Sequence, residues 1–292
     1  MKQWKSIAGI LLIPILCFLL TGCDGLTAQP ADTSAEGFSL RNIPAYSGKA
    51  YVELNNNIPY FEDSEYTTQS FESYGDLDAL GRCTAAYACV GIDTMPTEKR
   101  GSIGAVKPTG WHTVKYDNVD GSYLYNRCHL IGYQLTAEND NRQNLITGTR
   151  YLNVEGMLPF ENMVADYVKE TRYHVLYRVT PIFQGDHLLA DGVEMEAFSV
   201  EDSGEGICFH IYAYNVQPGI EIDYATGDSK ITDEAAANTK RDYVLNTKNK
   251  KFHLPDCRMA EQISEKNKEV KKSTAKELRE QGYQACGICI SY

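Results

Sequence analysis

The sequence predicts an α+β protein: a mixed or antiparallel central sheet, a strand pair that runs into a helix, and a small C-terminal metal-stapled module. Three observations predict it. Short runs rich in Val, Ile, Tyr and Phe, bounded by Gly, Pro and Asn, recur from Lys49 to Val216. Between Asn153 and Lys169, Met157, Phe160, Val164 and Val168 return at three- and four-residue intervals, which makes one helical stripe. The last segment, 241–292, is too short to build much core and ends in Cys/His pairs.

Composition sets the bounds. The 292 residues suffice for one large domain and a small one, and 43% hydrophobic residues support a full core. The 20 tyrosines suit half-buried strands and wet binding surfaces. A net charge of −11 argues against tight, static, non-specific DNA binding, which rests on cations meeting phosphates. A local basic groove can still coexist with an acidic remainder.

Residues 1–22 read as an export signal. Lys2 and Lys5 precede an apolar core from Ile7 to Leu20 that is short for a spanning helix. Leu20-Thr21-Gly22-Cys23 resembles a bacterial lipobox. That resemblance implies that Cys23 is lipidated and that acyl chains hold the mature protein at the extracellular face of the cell membrane, with secretion as the other outcome. Removing Lys2 and Lys5 takes the net charge from −11 to −13. Residues 23–44, with Thr, Ser, Ala, Gly and Pro and little periodicity, read as a flexible tether.

The large domain spans 45–225. Ala50-Tyr-Val-Glu-Leu54 reads as a strand, and Asn55-Asn-Asn-Ile-Pro59 as a turn. Asp76 to Gly81 is a turn or short helix, and Arg82 to Val90 a strand. On a straight strand Cys83 and Cys89 would share a face about 20 Å apart, too far for a disulfide. Either the chain bends between them or both are buried free thiols. Arg100 to His112 is a Gly- and Pro-rich loop made locally basic by Lys99, Arg100 and Lys107. Asp120-Gly121 signals a hairpin, and Ser122 to Arg127 a strand that delivers His129 at its end. The helix from Asn153 contains Pro159, which would break or kink it. His174 to Phe183, Met195 to Val200 and Ile207 to Val216 are further strands; His174 and His210 read as sheet residues, and Cys208 as a small apolar strand residue. His112 has no evident partner. Residues 226–240 read as a linker.

The chemistry concentrates between residues 122 and 161. Asn126-Arg127-Cys128-His129 is followed by Arg142, Asn144, Arg150, Asn153 and Glu161. His suits proton transfer, Arg suits phosphate oxygens, and an Asn oxygen suits Mg²⁺. The tetrapeptide resembles the Asp-Arg-Gly-His signature of the DNA/RNA non-specific endonucleases, a branch of the ββα-metal (His-Me finger) nucleases. Asn144, Asn153 and Glu161 repeat that family's spacing of an Asn, a metal-binding Asn nine residues on, and a Glu eight beyond. Asn126 and Cys128 depart from the family's Asp and Gly. The resemblance implies a ββα-metal catalytic motif that hydrolyses phosphodiester bonds of DNA or RNA. It implies His129 as general base, Arg127 and Glu161 beside it, and Mg²⁺ or Mn²⁺ on Asn153. Arg100, Asn144 and Arg150 are candidates for substrate contact. In an unbroken α-helix, eight residues turn about 80° beyond whole turns and rise about 12 Å, so Asn153 and Glu161 would not share one ion directly. Glu161 is then expected to orient a water of the ion, or the helix breaks near Pro159.

Other classes compete. A Cys128–His129 hydrolase is disfavoured, because adjacent residues of an extended strand face opposite ways. A surface lipoprotein that captures nucleic acid with little cleavage is the remaining alternative. In the tail, His253-x₃-Cys257 and Cys286-x₂-Cys289 suit zinc; disulfides are the other reading, although three cysteines leave one unpaired. The segments resemble the zinc-binding module of Ada-type DNA repair proteins, which uses four Cys; His253 would stand for one. Residues 241–292 hold eleven Lys and Arg against seven Asp and Glu, a net charge of +4.

Overall fold

Alternation along the strands of the large domain separates an apolar face from a polar one, and one antiparallel sheet results. The computed structural model describes residues 43–290; the export signal, Cys23 and nearly all of the tether lie outside the described residues. The strands are β1 (Tyr51–Glu53), β2 (Phe71–Tyr74), β3 (Ala86–Val90), β4 (Tyr125–His129), β5 (Leu145–Thr149), β6 (Val175–Ile182), β7 (Gly192–Ser199) and β8 (Cys208–Tyr214). Six of them form the sheet in the order β1-β8-β7-β6-β3-β2, antiparallel throughout. Val179, Met195, Ala197, Ile211 and Ala213 point to the main core. Against them packs helix α2 (Leu158–Thr171), through Phe160, Val164, Ala165 and Val168, the apolar stripe legible in the sequence.

The opposite face is charged and covered. Arg178 on β6 donates to Glu196 on β7 at 2.8 Å, and His210 on β8 lies 2.6 Å from Glu194. The segment after β1 closes over them: the Tyr60 N–H donates to Glu196 at 2.6 Å, and the His210 N–H donates to the Asn57 side chain at 3.0 Å. Every charged group there has a partner, which is the condition for burying it.

β4 and β5 form a separate antiparallel ribbon with His129 opposite Leu145 and Asn126 opposite Gly148. A buried Cys128 fits in this ribbon because its diagonal neighbour is Gly148, where a Cβ would collide with the Cys128 sulfur. Asn215 ties the ribbon to the sheet: its side chain accepts from Thr149 N at 2.8 Å and donates to the carbonyls of Thr147 and Ala190. The short helix α1 (Tyr133–Thr136) follows β4.

Pro159 does not break the helix. The chain stays helical from Arg150 to Thr171, with a turn of π-helix at Leu152–Met157 just before α2. The Leu158 N–H bonds to the Asn153 carbonyl, five residues back. Pro159 is the second residue of α2, directly after the π turn.

Cys83 and Cys89 are buried free thiols, and Cys83 lies ahead of β3, where it donates to the carbonyls of Arg142 and Leu145. Cys208 is exposed rather than packed. The stretch read as a linker is ordered: β9 (Ile220–Ile222) pairs with β10 (Ser229–Ile231), and helix α3 (Asp233–Asn238) follows, capped by the Thr232 side chain. His112, without a partner in the sequence reading, lies 3.1 Å from the Thr226 carbonyl.

The tail forms a sheet of its own. β11 (Arg241–Asn246), β12 (Lys251–His253), β13 (Lys268–Ser273) and β14 (Gln284–Ala285) run in the order β13-β11-β12-β14. Helices α4 (Arg258–Glu261) and α5 (Ala275–Glu280) complete it, around Tyr243, Leu245, Phe252 and Leu278.

Candidate active site

His129 is the last residue of β4 and is only 7% exposed. Its Nε2 lies 2.7 Å from the Asn139 carbonyl, and its Nδ1 lies 3.2 Å from Arg100 Nη2. A carbonyl can only accept, so Nε2 carries the proton; a guanidinium can only donate, so Nδ1 holds the lone pair. Burial lowers the pKa of the imidazole to about 4, with Arg100 adding to the effect and the Asn139 hydrogen bond opposing it. The ring is therefore neutral at pH 7, with Nδ1 unprotonated and accepting from Arg100.

His129 borders a groove of about 810 Å³ lined also by Arg100, Arg127, Arg150, Asn153 and Glu161. The π turn explains how Asn153 and Glu161 reach the same groove. Its wider hydrogen-bond ring absorbs one extra residue, so eight residues cover what seven cover in an α-helix. Seven residues turn within about 20° of two full turns, against about 80° off for eight. Glu161 comes in close beneath Gly132, where a Cβ would meet its Oε2 at 2.6 Å. Desolvation raises the Glu161 pKa to about 7, with Arg100 pulling the other way.

The three arginines have different partners. Arg100 faces His129. Arg127 donates from Nε to the Val106 carbonyl and from Nη2 to Gly104 O at 3.0 Å, and its guanidinium stacks 4.0 Å over Trp111. It holds the loop 104–111 as one wall of the groove. Arg150 donates twice to Asp120, at 2.8 and 3.0 Å, and weakly to Asn126 at 3.4 Å.

Asn144 corrects the sequence reading. It is fully buried, its Oδ1 accepts from the Ile131 N–H at 2.9 Å, and its Nδ2 donates to the Ile131 carbonyl at 3.0 Å. With both ends of its amide occupied by Ile131, it fixes the chain after His129. Cys128 is fully buried and burial pushes its thiol pKa well up, which removes it as a nucleophile. Sequence reasoning missed Trp111, Asp120, Asn139 and Gly132. Only Gly132 left a local trace, a glycine between apolar Leu130-Ile131 and Tyr133.

In the tail, one ligand atom from each of His253, Cys257, Cys286 and Cys289 lies within 4.8 Å of the others. His253 Nδ1 and Cys257 Sγ are 3.7 Å apart, and all three cysteines are free thiols. A zinc tetrahedron with bonds of 2.0–2.3 Å has edges of roughly 3.3–3.8 Å, which the His253–Cys257 pair matches, and the four ligand atoms are grouped closely enough to hold a metal ion.

A His-ended ribbon running into a helix that presents Asn and Glu, beside arginines in one groove, defines a nuclease domain. Residues 62–201 match the family of DNA/RNA non-specific endonucleases, so the chain carries a domain of that family. Similar solved structures include NucA from Streptococcus agalactiae with no metal bound, at 25% identity and a TM-score of 0.58, covering 66% of this chain and 92% of that one. The same NucA with a magnesium ion bound has a TM-score of 0.57 at 25% identity, over 65% of this chain and 91% of that one. Sda1 nuclease with a bound zinc ion has 25% identity and a TM-score of 0.55, over 63% of this chain and 97% of that one.

Proposed function

We propose that this protein is a metal-dependent, sugar-non-specific endonuclease that hydrolyses phosphodiester bonds of DNA and RNA outside the cell. The observation that carries the reading is the state of His129 in the groove lining: Nε2 is committed to a carbonyl, and Nδ1 is unprotonated beside Arg100, which can turn to a phosphate oxygen and free it. His129 takes the proton of the attacking water at Nδ1. Arg100 stands beside it to meet a phosphate oxygen, and Arg150 can exchange Asp120 for phosphate. Arg127 acts by holding the groove wall. The amide oxygen of Asn153, with Glu161 on the same helix face, would hold one Mg²⁺ or Mn²⁺; oxygen donors and few protein ligands suit a cation that keeps its waters. When bound, such an ion neutralises charge on the phosphoryl and leaving oxygens. The magnesium-bound NucA structure supports that choice of metal. Incubation of residues 45–292 with plasmid and with RNA, in Mg²⁺ or in EDTA, tests the reading. Cleavage of both in Mg²⁺ alone is expected; binding without cleavage would favour the capturing lipoprotein.

The domain limits of 45–225 and 241–292 are part of this reading, and the tail is a zinc-stapled module. One zinc per chain is expected by elemental analysis, lost when Cys286→Ser and Cys289→Ser are combined. Because the cluster joins the ends of a small core, its loss should unfold the tail while the chemical step in the groove proceeds. A zinc-free wild type with a mapped disulfide at Cys286 or Cys289 would end this idea.

Anchoring through lipidated Cys23 rests on Leu20-Thr21-Gly22-Cys23. Cys23→Ser should abolish acyl labelling and release the protein from the membrane fraction; unchanged labelling would refute it.

A further inference from the structure

We infer that the turn joining β11 to β12 is a second nucleic-acid contact, separate from the groove, that grips the phosphate backbone of long substrates. Lys248, Lys250 and Lys251 are exposed on this turn. None of the three has a carboxylate partner among the described residues, although other lysines of the chain do, such as Lys230 on Glu221 at 2.8 Å. The neighbouring strand brings more charge to the same end of the sheet: Lys268 lies opposite Asn246, and the Thr247 N–H bonds to the carbonyl of Asn267, next to Lys266. Four exposed lysines thus gather at one edge of a chain whose net charge is −11, with Lys268 beside them paired to Glu265 at 3.7 Å.

The turn is built to present them. Asn246 Oδ1 accepts from the N–H groups of both Lys248 and Asn249, and Asn249 Oδ1 accepts from Lys251 N. Lys250 is held at φ +55, a left-handed conformation that glycine or asparagine fills more cheaply, and its ammonium sits 4.7 Å over the Tyr283 ring. A lysine retained where Gly or Asn would be less strained points to a use for its charge.

The turn also connects to the groove. Ala235 of α3 packs against Gly219 and close to Asn118. Two residues past Asn118, Asp120, Gly121 and Tyr123 form the groove rim, where Lys115 stacks on the half-exposed Tyr123 at 4.4 Å. From α3 the six residues of β11 carry the chain about 20 Å to the lysine turn. On this proposal a long polymer spans the groove and the module, whereas a trinucleotide, spanning roughly 10 Å, is shorter than β11 alone. Two weak contacts on one polymer raise its affinity through effective concentration without touching the chemistry.

The proposal rests on the nuclease reading for its choice of polymer. Its test is binding in EDTA, which is independent of cleavage, so the two can fail separately. The full chain is compared with the triple variant Lys248→Gln, Lys250→Asn, Lys251→Gln, and with a control that removes equal charge at Lys49, Lys169 and Lys230. Fluorescence anisotropy with a 60-base-pair duplex should show about tenfold weaker binding for the first variant only. The slope of log affinity against log salt should fall by about 2.7, at about 0.9 per lost phosphate contact. Trinucleotide binding should not change, and neither should zinc content, which reports that the module remains folded. Equal loss in the control, or unchanged duplex affinity in the triple variant, would overturn the proposal. So would loss of binding to vesicles of anionic phospholipid with duplex binding intact, which would assign the turn to a membrane surface.

Discussion

His129→Ala should reduce cleavage of plasmid in Mg²⁺ by about 10²–10⁴-fold while leaving nucleic-acid binding nearly intact. The base is removed, but the arginines and the metal site, which meet the phosphates, remain. Added imidazole should restore part of the rate, because truncation opens a space beside Arg100 where a small free base can sit. More Mg²⁺ should restore none of it. The same residue has a signature in stability. The unfolded imidazole takes up a proton near its ordinary value of 6.5, but the folded one only near 4. Between those values the unfolded state binds more protons, so the wild type should lose stability as pH falls from 6.5 to 4, by on the order of 3 kcal/mol. Above 6.5 both states are neutral and below 4 both are charged, so the loss is confined to that window. Urea midpoints across it should fall less for His129→Ala. Cleavage by His129→Ala at the wild-type rate would show that the groove has been misassigned.

Asn153→Ala should fail by another route. The π turn remains, Glu161 stays under Gly132, and His129 is untouched, so on the proposed mechanism what is lost is one ligand of the ion. Weakening of Mg²⁺ binding by at least tenfold to a hundredfold is expected, measured directly by calorimetry with a non-cleavable substrate analogue present. Rates at limiting Mg²⁺ should fall accordingly and recover in part as Mg²⁺ is raised. If calorimetry finds the variant's affinity equal to the wild type's, the ion sits elsewhere.

The sequence disclosed the site unevenly, for physical reasons. His129, Arg127, Asn153 and Glu161 were legible because they lie on one ribbon and the helix that follows, and their spacing along the chain is their spacing on the element. The α2 stripe and the main strands were legible by the same periodicity. The phase between Asn153 and Glu161 was not, because α-helix arithmetic assumes four-residue hydrogen bonds and the chain uses a five-residue one ahead of Pro159. Asn144 carries the family spacing yet turns inward, since its amide matches both backbone groups of Ile131. Trp111, Asp120 and the Asn139 carbonyl come from three separate loops, and nothing local marks a residue whose role depends on a distant partner. The ordering of residues 226–240 was hidden in the same way: α3 is stabilised by what it packs between.

The Asn215 clamp bears on when this protein becomes active. His129, Asn153 and Glu161 of the candidate site lie within residues 129–161, but the strand that precedes the helix is fastened by a side chain that emerges more than fifty residues later. β1, at the start of the domain, likewise finds its partner only in β8. Such distant pairings form late, because loop closure must precede them. A growing or half-exported chain therefore exposes every reacting group without the groove that aligns them. On the proposed function, a chain that ends before Asn215 would therefore cleave nucleic acid poorly.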